Sequence, residues 1–165
     1  MALRDLMLSD LSHVFQIIRA GEEAVPTWHI LTPSGDYVIM VKFNADVPDQ
    51  RERAFALVPR FMAWKLATAF VMTGETWLGP ERSRSGEEAV LAIGVSRTER
   101  LGVIRRIVRK PDGPLFLPPE WLRADQIDES YFNLLPAGVG AVTAEEVEML
   151  NVVFGENGEM PAVRQ

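Results

Sequence analysis

Apolar residues recur every three or four positions near the start of the chain. They fall at positions 3, 6, 7, 11, 14, 15 and 18, and charged or polar residues fill most of the positions between them. This spacing gathers the apolar side chains on one side of an α-helix. Gly21 is a natural stop, because glycine favours the end of a helix. We therefore predict an amphipathic helix over residues 3–18.

Five stretches rich in aromatic and β-branched residues indicate β-strands. They cover residues 28–31, 37–43, 69–77, 88–95 and 102–109. Turn-forming residues join the first two stretches, and a short polar segment joins the last two. Both connections are typical of β-hairpins.

Two of these strands carry a pattern that predicts their position in the sheet. The stretch at 37–43 is nearly continuous in apolar residues, so we expect a central strand covered on both faces. In the stretch at 102–109, basic and apolar residues share both faces. Because buried charges need partners, we expect this strand at an edge of the sheet.

Two more helices are indicated by their capping residues. Asp49, with Glu52 three positions later, predicts the start of a helix that Pro59 kinks or divides into two short helices. Thr143 and Glu146 form the same kind of capping pair before a last helix, which Gly155 ends.

Proline and glycine predict where regular structure is interrupted. We expect a mobile loop at 79–86, a loop at 110–119 and a flexible tail at 156–165. The remaining pattern predicts a single α+β domain over residues 1–155. Its fold class is a mostly antiparallel sheet of about five strands with two or three packed helices, in the order α-ββ-α-βββ-α.

Composition narrows the setting in which the chain works. It contains no cysteine, which excludes disulfide bonds and thiolate metal sites and favours the cytoplasm. Charges interrupt the apolar residues of the first ten positions, so we expect no signal peptide. The longest uncharged stretch, residues 130–144, contains Pro136 and is shorter than the roughly 20 apolar residues of a membrane helix. We expect no membrane association.

Charge is divided unevenly along the chain. Residues 1–111 carry 15 basic and 13 acidic side chains, whereas residues 112–165 carry 2 basic and 10 acidic ones. Between positions 97 and 110, six cations accompany one anion. We call these cations the basic ribbon: Arg97, Arg100, Arg105, Arg106, Arg109 and Lys110. They are candidates for binding an acidic protein surface or a nucleic acid, and the alternative is neutralisation by the chain's own acidic C-terminal third or by a neighbouring subunit.

The sequence contains no recognised catalytic, cofactor or metal-binding motif, and we expect no cofactor and no metal. Only two histidines occur, and neither has the carboxylate spacing of a facial metal triad. We expect His13 at the surface and His29 packed or hydrogen-bonded. Glu75 interrupts an otherwise apolar strand and is a candidate general base. The alternative for Glu75 is a carboxylate that reaches solvent or pairs with an arginine.

Three functions remain open from sequence. The mean hydropathy of +0.02 is high for a small domain with a polar surface, so some apolar surface is expected to be covered by a partner. The leading hypothesis is therefore a non-enzymatic protein–protein interaction or assembly protein that self-associates as a homo-oligomer. The alternatives are a nucleic-acid-binding protein that uses the basic ribbon, and an enzyme of unknown class with Glu75 in its site.

Overall fold

A computed structural model describes residues 2–42, 49–78 and 87–165. The chain is an α+β fold built on an antiparallel sheet, as the sequence predicts. Short 3-10 turns lie at Ala124–Gln126 and Glu129–Asn133. The elements in chain order are α1 (Leu3–Arg19), β1 (Thr27–Thr32), β2 (Gly35–Met40), α2 (Gln50–Trp64), β3 (Ala69–Leu78), β4 (Glu87–Ser96), β5 (Arg100–Lys110), β6 (Gly113–Phe116), β7 (Glu120–Leu122), α3 (Pro136–Val139), α4 (Ala144–Val153) and β8 (Ala162–Arg164).

The strands form one eight-stranded sheet in the order β6-β5-β4-β3-β1-β2-β8, and β7 also pairs with β5. Every pairing is antiparallel. The longest one joins β3 and β4, from Ala69 opposite Ser96 to Leu78 opposite Glu87. Both predicted hairpins, β1–β2 and β4–β5, are confirmed.

Helices cover the two faces of the sheet, and each face has its own apolar core. Successive strand residues point to opposite faces, so Phe70 packs against α2 and α4, and its neighbour Val71 packs against α1. On the α2 side, the ring of Phe61 lies 4.9 Å from that of Phe154. Among the described residues, no helix is both long and apolar enough to cross a membrane.

Helix α1 lies close to the sheet because β4 has a glycine beneath it. A Cβ placed on Gly94 would lie 2.5 Å from Sδ of Met7 and 3.2 Å from Cδ1 of Leu3. Met7 is fully buried, so a side chain at position 94 would force Met7 to shift within the core. The predicted amphipathic stripe of α1 is confirmed, since its buried residues are the ones at positions 3, 6, 7, 11, 14, 15 and 18.

The prediction that the strand at 102–109 is an edge strand is wrong. β5 lies inside the sheet, because β6 and β7 both pair along its outer side. The predicted loop at 110–119 is also wrong over β6, which turns back after Lys110 through Gly113, whose φ is +128°. Proline is tolerated at position 114 because β6 is an edge strand, where no neighbour needs the missing N–H.

The prediction of a doubly covered strand at 37–43 is wrong as well. β2 buries Ile39 on the α2 side, but Met40, on the other face, is 43% exposed. Helix α1 packs mainly on β3, β4 and β6, and among the described helices none packs on the Met40 side of β2 to a comparable extent. The apolar run therefore does not signal burial on both faces.

The prediction of a flexible tail at 156–165 does not match the structure. Met160 is buried in the α2-side core, and β8 pairs with β2 from Ala162 to Arg164. The backbone N–H of Gln165 donates to the carbonyl of Asp36 at 2.9 Å. Residues of the predicted tail therefore take part in the sheet and in its core.

The capping predictions have opposite outcomes. For α4, the Glu146 N–H donates to Thr143 Oγ1 at 3.2 Å, and the Thr143 N–H donates to Glu146 Oε1 at 3.3 Å, which confirms the capping box. For α2, Asp49 stands at the N-cap position as predicted, but its backbone is left-handed with φ of 65° and its side chain forms no capping hydrogen bond. The helix also continues through Pro59 rather than dividing there. The predicted mobile loop at 79–86 lies outside the described residues.

Candidate functional site

Two glutamates from neighbouring strands hold Arg106, at the centre of the basic ribbon. Its guanidinium contacts Glu87 of β4, and its Nε donates to Oε2 of Glu120 of β7 at 2.8 Å. These strands flank β5 on both sides, so the sheet itself brings the carboxylates to the arginine. Hydrogen bonding to Glu120 and the nearby negative charges raise the pKa of Arg106.

Two more cations of the basic ribbon form hydrogen bonds within the chain. Arg109 forms two bonds with Glu88 of β4, from Nε at 2.9 Å and from Nη2 at 2.5 Å. Arg105 donates from Nε to the Leu117 carbonyl at 2.6 Å, and its guanidinium lies 4.6 Å from the ring of Phe15. The structure therefore brings half of the ribbon into contacts with its own sheet and with α1.

The other ribbon residues lie at the surface. Arg97, Arg100 and Lys110 are exposed, at the two ends of β5 and the turn before it. Within β5, strand alternation also places Arg106 on the opposite face of the sheet from Arg105 and Arg109.

The acidic C-terminal third pairs mainly with α2 rather than with the ribbon. Arg60 forms two bonds with Glu146, and Arg53 donates from Nη1 to Oε2 of Glu159 at 2.7 Å. Of the acids after residue 111, Glu120 contacts the ribbon. The sequence could not assign these pairs, because the cations and the acids are about a hundred positions apart.

Glu75 lies in a charged cluster on the α1 side of the sheet. It stands opposite Val90, which belongs to the α1-side core. Partial burial raises the pKa of the Glu75 carboxyl group, and the charges of Glu88 and Glu23 add to this effect, whereas Arg109 opposes it. The side chain is exposed overall, and Arg109 and two glutamates are its charged neighbours.

His29 lies between two aspartates. Its Nδ1 is 3.0 Å from Oδ2 of Asp10 on α1, and its Nε2 is 3.6 Å from Oδ2 of Asp36 on β2. The hydrogen bond to Asp10 raises the pKa of His29 against the opposing effect of burial. Over the described part of the chain, no group of histidines and carboxylates is arranged to hold a metal ion. His13 is exposed on α1.

A cavity that sequence reasoning missed lies between α2 and the sheet. It has a volume of about 360 Å³. The rings of Trp28, Phe55 and Tyr131 line it, with Gly74 on the strand behind them and Arg51 among the lining residues. Glu75 also borders it, but strand alternation directs the Glu75 side chain to the other face. No sequence signal marks this cavity, since its residues come from separate elements.

Over the part of the chain that the structure describes, a partly exposed apolar surface lies at the opposite edge of the sheet from β6. Val38 pairs with Val163 of β8, so both side chains lie on the α1 side of the sheet, together with Met40. Helix α1 does not extend over them, and Met40 and Val163 are 43% and 58% exposed. We call these three residues the apolar strip.

No protein-family model, no curated protein and no solved structure matches the chain.

Proposed function

We propose that this protein is a non-enzymatic interaction protein that self-associates through the apolar strip. The observation that carries the proposal is the apolar strip across two hydrogen-bonded strands, in which Met40 and Val163 are exposed and Val38 is half-buried. Covering such a surface removes apolar area from water, which favours association by about 25 cal/mol per Å² before entropic costs.

The proposal concerns the face of the sheet rather than its edge. β8 has only three paired residues, it follows Pro161, and it ends in the exposed Arg164. Short strands, proline and charge are the features that prevent edge-to-edge pairing. Two copies would therefore pack strip against strip around a two-fold axis, which is the commonest symmetry of homo-oligomers.

Neither alternative gains comparable support. Nucleic-acid binding would use a ribbon in which glutamates already neutralise Arg106 and Arg109. Catalysis through Glu75 would need a cavity around its carboxyl group, whereas its neighbours there are Glu88 and Arg109. Both alternatives stay predictions. Polyanion binding tests the first, and an assay of enzymatic activity tests the second.

Size-exclusion chromatography with light scattering tests the proposal. The chain mass is 18.5 kDa, and we expect the wild type to approach twice that value as its concentration rises. Val163→Lys places a charge in the strip and should give the monomer mass. Val152→Lys is the matched control, because Val152 is 74% exposed on α4, away from the strip.

Two results would contradict the proposal. The first is a wild-type protein that stays at 18.5 kDa at every concentration. The second is loss of association in Val152→Lys but not in Val163→Lys.

A further inference from the structure

The cavity between α2 and the sheet has the size of a small-molecule site. Its volume is about 360 Å³, within the range of about 300–1,000 Å³ typical of ligand pockets. It lies on the opposite face of the sheet from the apolar strip. Occupation of one site therefore need not obstruct the other.

Gly74 leaves the floor of this cavity open. It lies within β3 on the same face as Met72, and a Cβ built on it would meet no atom within 4 Å. Glycine inside a strand is less stable than a residue with a side chain, and it often marks a close approach of another molecule. The missing side chain therefore lowers the stability of the strand locally and leaves the cavity unfilled.

Three aromatic rings form its wall. The rings of Trp28 and Phe55 meet edge-on with centroids 5.6 Å apart, and the rings of Phe55 and Tyr131 meet edge-on at 6.1 Å. Trp28 is buried at 1% exposure, so its ring supports Phe55 from the core, and the half-buried rings of Phe55 and Tyr131 face the cavity. Such a wall favours a flat aromatic molecule, because offset and edge-on ring contacts add to the area buried.

Arg51 supplies the polar contact. It lies one turn before Phe55 on α2, with its guanidinium 5.9 Å from the Phe55 ring. It is exposed, and it forms no ion pair with any residue that the structure describes. A guanidinium suits two-pronged contact with a carboxylate. The Glu75 carboxylate lies on the other face of β3 and does not compete for it.

We propose that this cavity binds a planar aromatic carboxylate, with its rings against Phe55 and Tyr131 and its carboxylate at Arg51. The aromatic part lies over Gly74, where no side chain obstructs it. This inference is independent of the proposed self-association.

Calorimetric titration with naphthalene-2-carboxylate tests the inference, with naphthalene-2-carboxamide as the neutral analogue. The wild type should bind the carboxylate at one site per chain. Gly74→Val fills the cavity and should weaken binding of both compounds at least tenfold, and Gly74→Ala should weaken it less. Thermal unfolding shows whether these variants are folded, and we expect them to be at least as stable as the wild type.

A second pair of variants tests the charge. Arg51→Gln should weaken binding of the carboxylate about tenfold and leave the carboxamide unchanged. Arg53→Gln is the control on the same helix, since Arg53 pairs with Glu159 instead, and it should bind like the wild type. Val163→Lys should also bind like the wild type whether or not the protein self-associates.

The inference would be overturned by the absence of saturable binding of naphthalene-2-carboxylate to the wild type. Equal affinity in the wild type and a folded Gly74→Val variant would also overturn it. If Arg51→Gln weakened binding of the carboxylate and of the carboxamide equally, the cavity would not be selective for a carboxylate group.

Discussion

Arg60 of α2 and Glu146 of α4 form a two-pronged ion pair. Nε of Arg60 is 2.7 Å from Oε2 of Glu146, and Nη2 is 2.9 Å from Oε1. The same Nη2 donates to the Ala141 carbonyl at 2.9 Å, just before the helix begins. Because Glu146 also closes the capping box with Thr143, one carboxylate both starts α4 and ties it to α2.

We expect Glu146→Gln to remove part of the pH dependence of stability. Bonding to Arg60 lowers the pKa of Glu146 below its ordinary value of 4.5. A lowered folded-state pKa adds stability above the unfolded-state pKa, and this stability is lost as the pH falls through the folded-state value. Urea unfolding at neutral and acidic pH should show that the variant loses less unfolding free energy at acidic pH than the wild type does.

Glu148→Gln provides the control for this prediction. Glu148 lies on the same helix, and within the described ranges it forms no ion pair. The unfolding free energy of Glu148→Gln should fall at acidic pH as much as that of the wild type. If the unfolding free energy of Glu146→Gln also fell as much as that of the wild type, the ion pair would not contribute to the pH dependence of stability.

The structure shows which levels of organisation could be predicted from sequence. The stripe of α1, the two hairpins and the Thr143 cap were predictable because each depends on residues a few positions apart. The place of β5 inside the sheet was not, because it depends on pairing with β6 and β7. Proline at 114 misled the prediction, since an edge strand tolerates it.

The candidate sites were less predictable than the fold for the same reason. The cations of the basic ribbon are visible in sequence, but their glutamate partners come from β4 and β7. The cavity depends on Gly74 lying opposite Leu91 and beneath α2, which no local pattern encodes.

His29 should stabilise the protein most below its unfolded-state pKa. Asp10 and Asp36 face its ring, and the pKa of His29 is raised above 6.5. A raised pKa means that this stability is fully present below about pH 6.5 and is lost as the pH rises through the folded-state value. The difference in unfolding free energy between wild type and His29→Gln should therefore shrink at alkaline pH.

His13→Gln is the matched control for His29, because His13 is exposed on α1. Its pH profile should follow that of the wild type. If the difference in unfolding free energy between wild type and His29→Gln stayed constant from acidic to alkaline pH, His29 would not have the stabilising role assigned to it here.

Gly94→Val should destabilise the protein by about 1–3 kcal/mol, the usual cost of overpacking a core. The new side chain would collide with the buried Met7 and push α1 from the sheet. Gly74→Val on the neighbouring strand has open space and should not destabilise. Urea unfolding compares the two, and equal destabilisation of both variants would contradict this account of the two glycines.

Removing the glutamates that pair with Arg106 and Arg109 should strengthen binding of the protein to a polyanion. The triple variant Glu87→Gln, Glu88→Gln, Glu120→Gln frees Arg106 and Arg109. It should elute from heparin at higher salt than the wild type. The triple variant Glu145→Gln, Glu148→Gln, Glu156→Gln changes net charge equally, and an equal shift there would show that only net charge matters.

The most direct test of self-association is a distance measurement between spin labels on two copies. Because the chain contains no cysteine, Gln165→Cys next to β8 and Leu115→Cys on β6 can each be labelled singly. We expect a short, defined distance between copies for Gln165→Cys that disappears on dilution with unlabelled protein, and a longer one for Leu115→Cys. No interaction between copies at either site, or the shorter distance at Leu115→Cys, would contradict packing through the apolar strip.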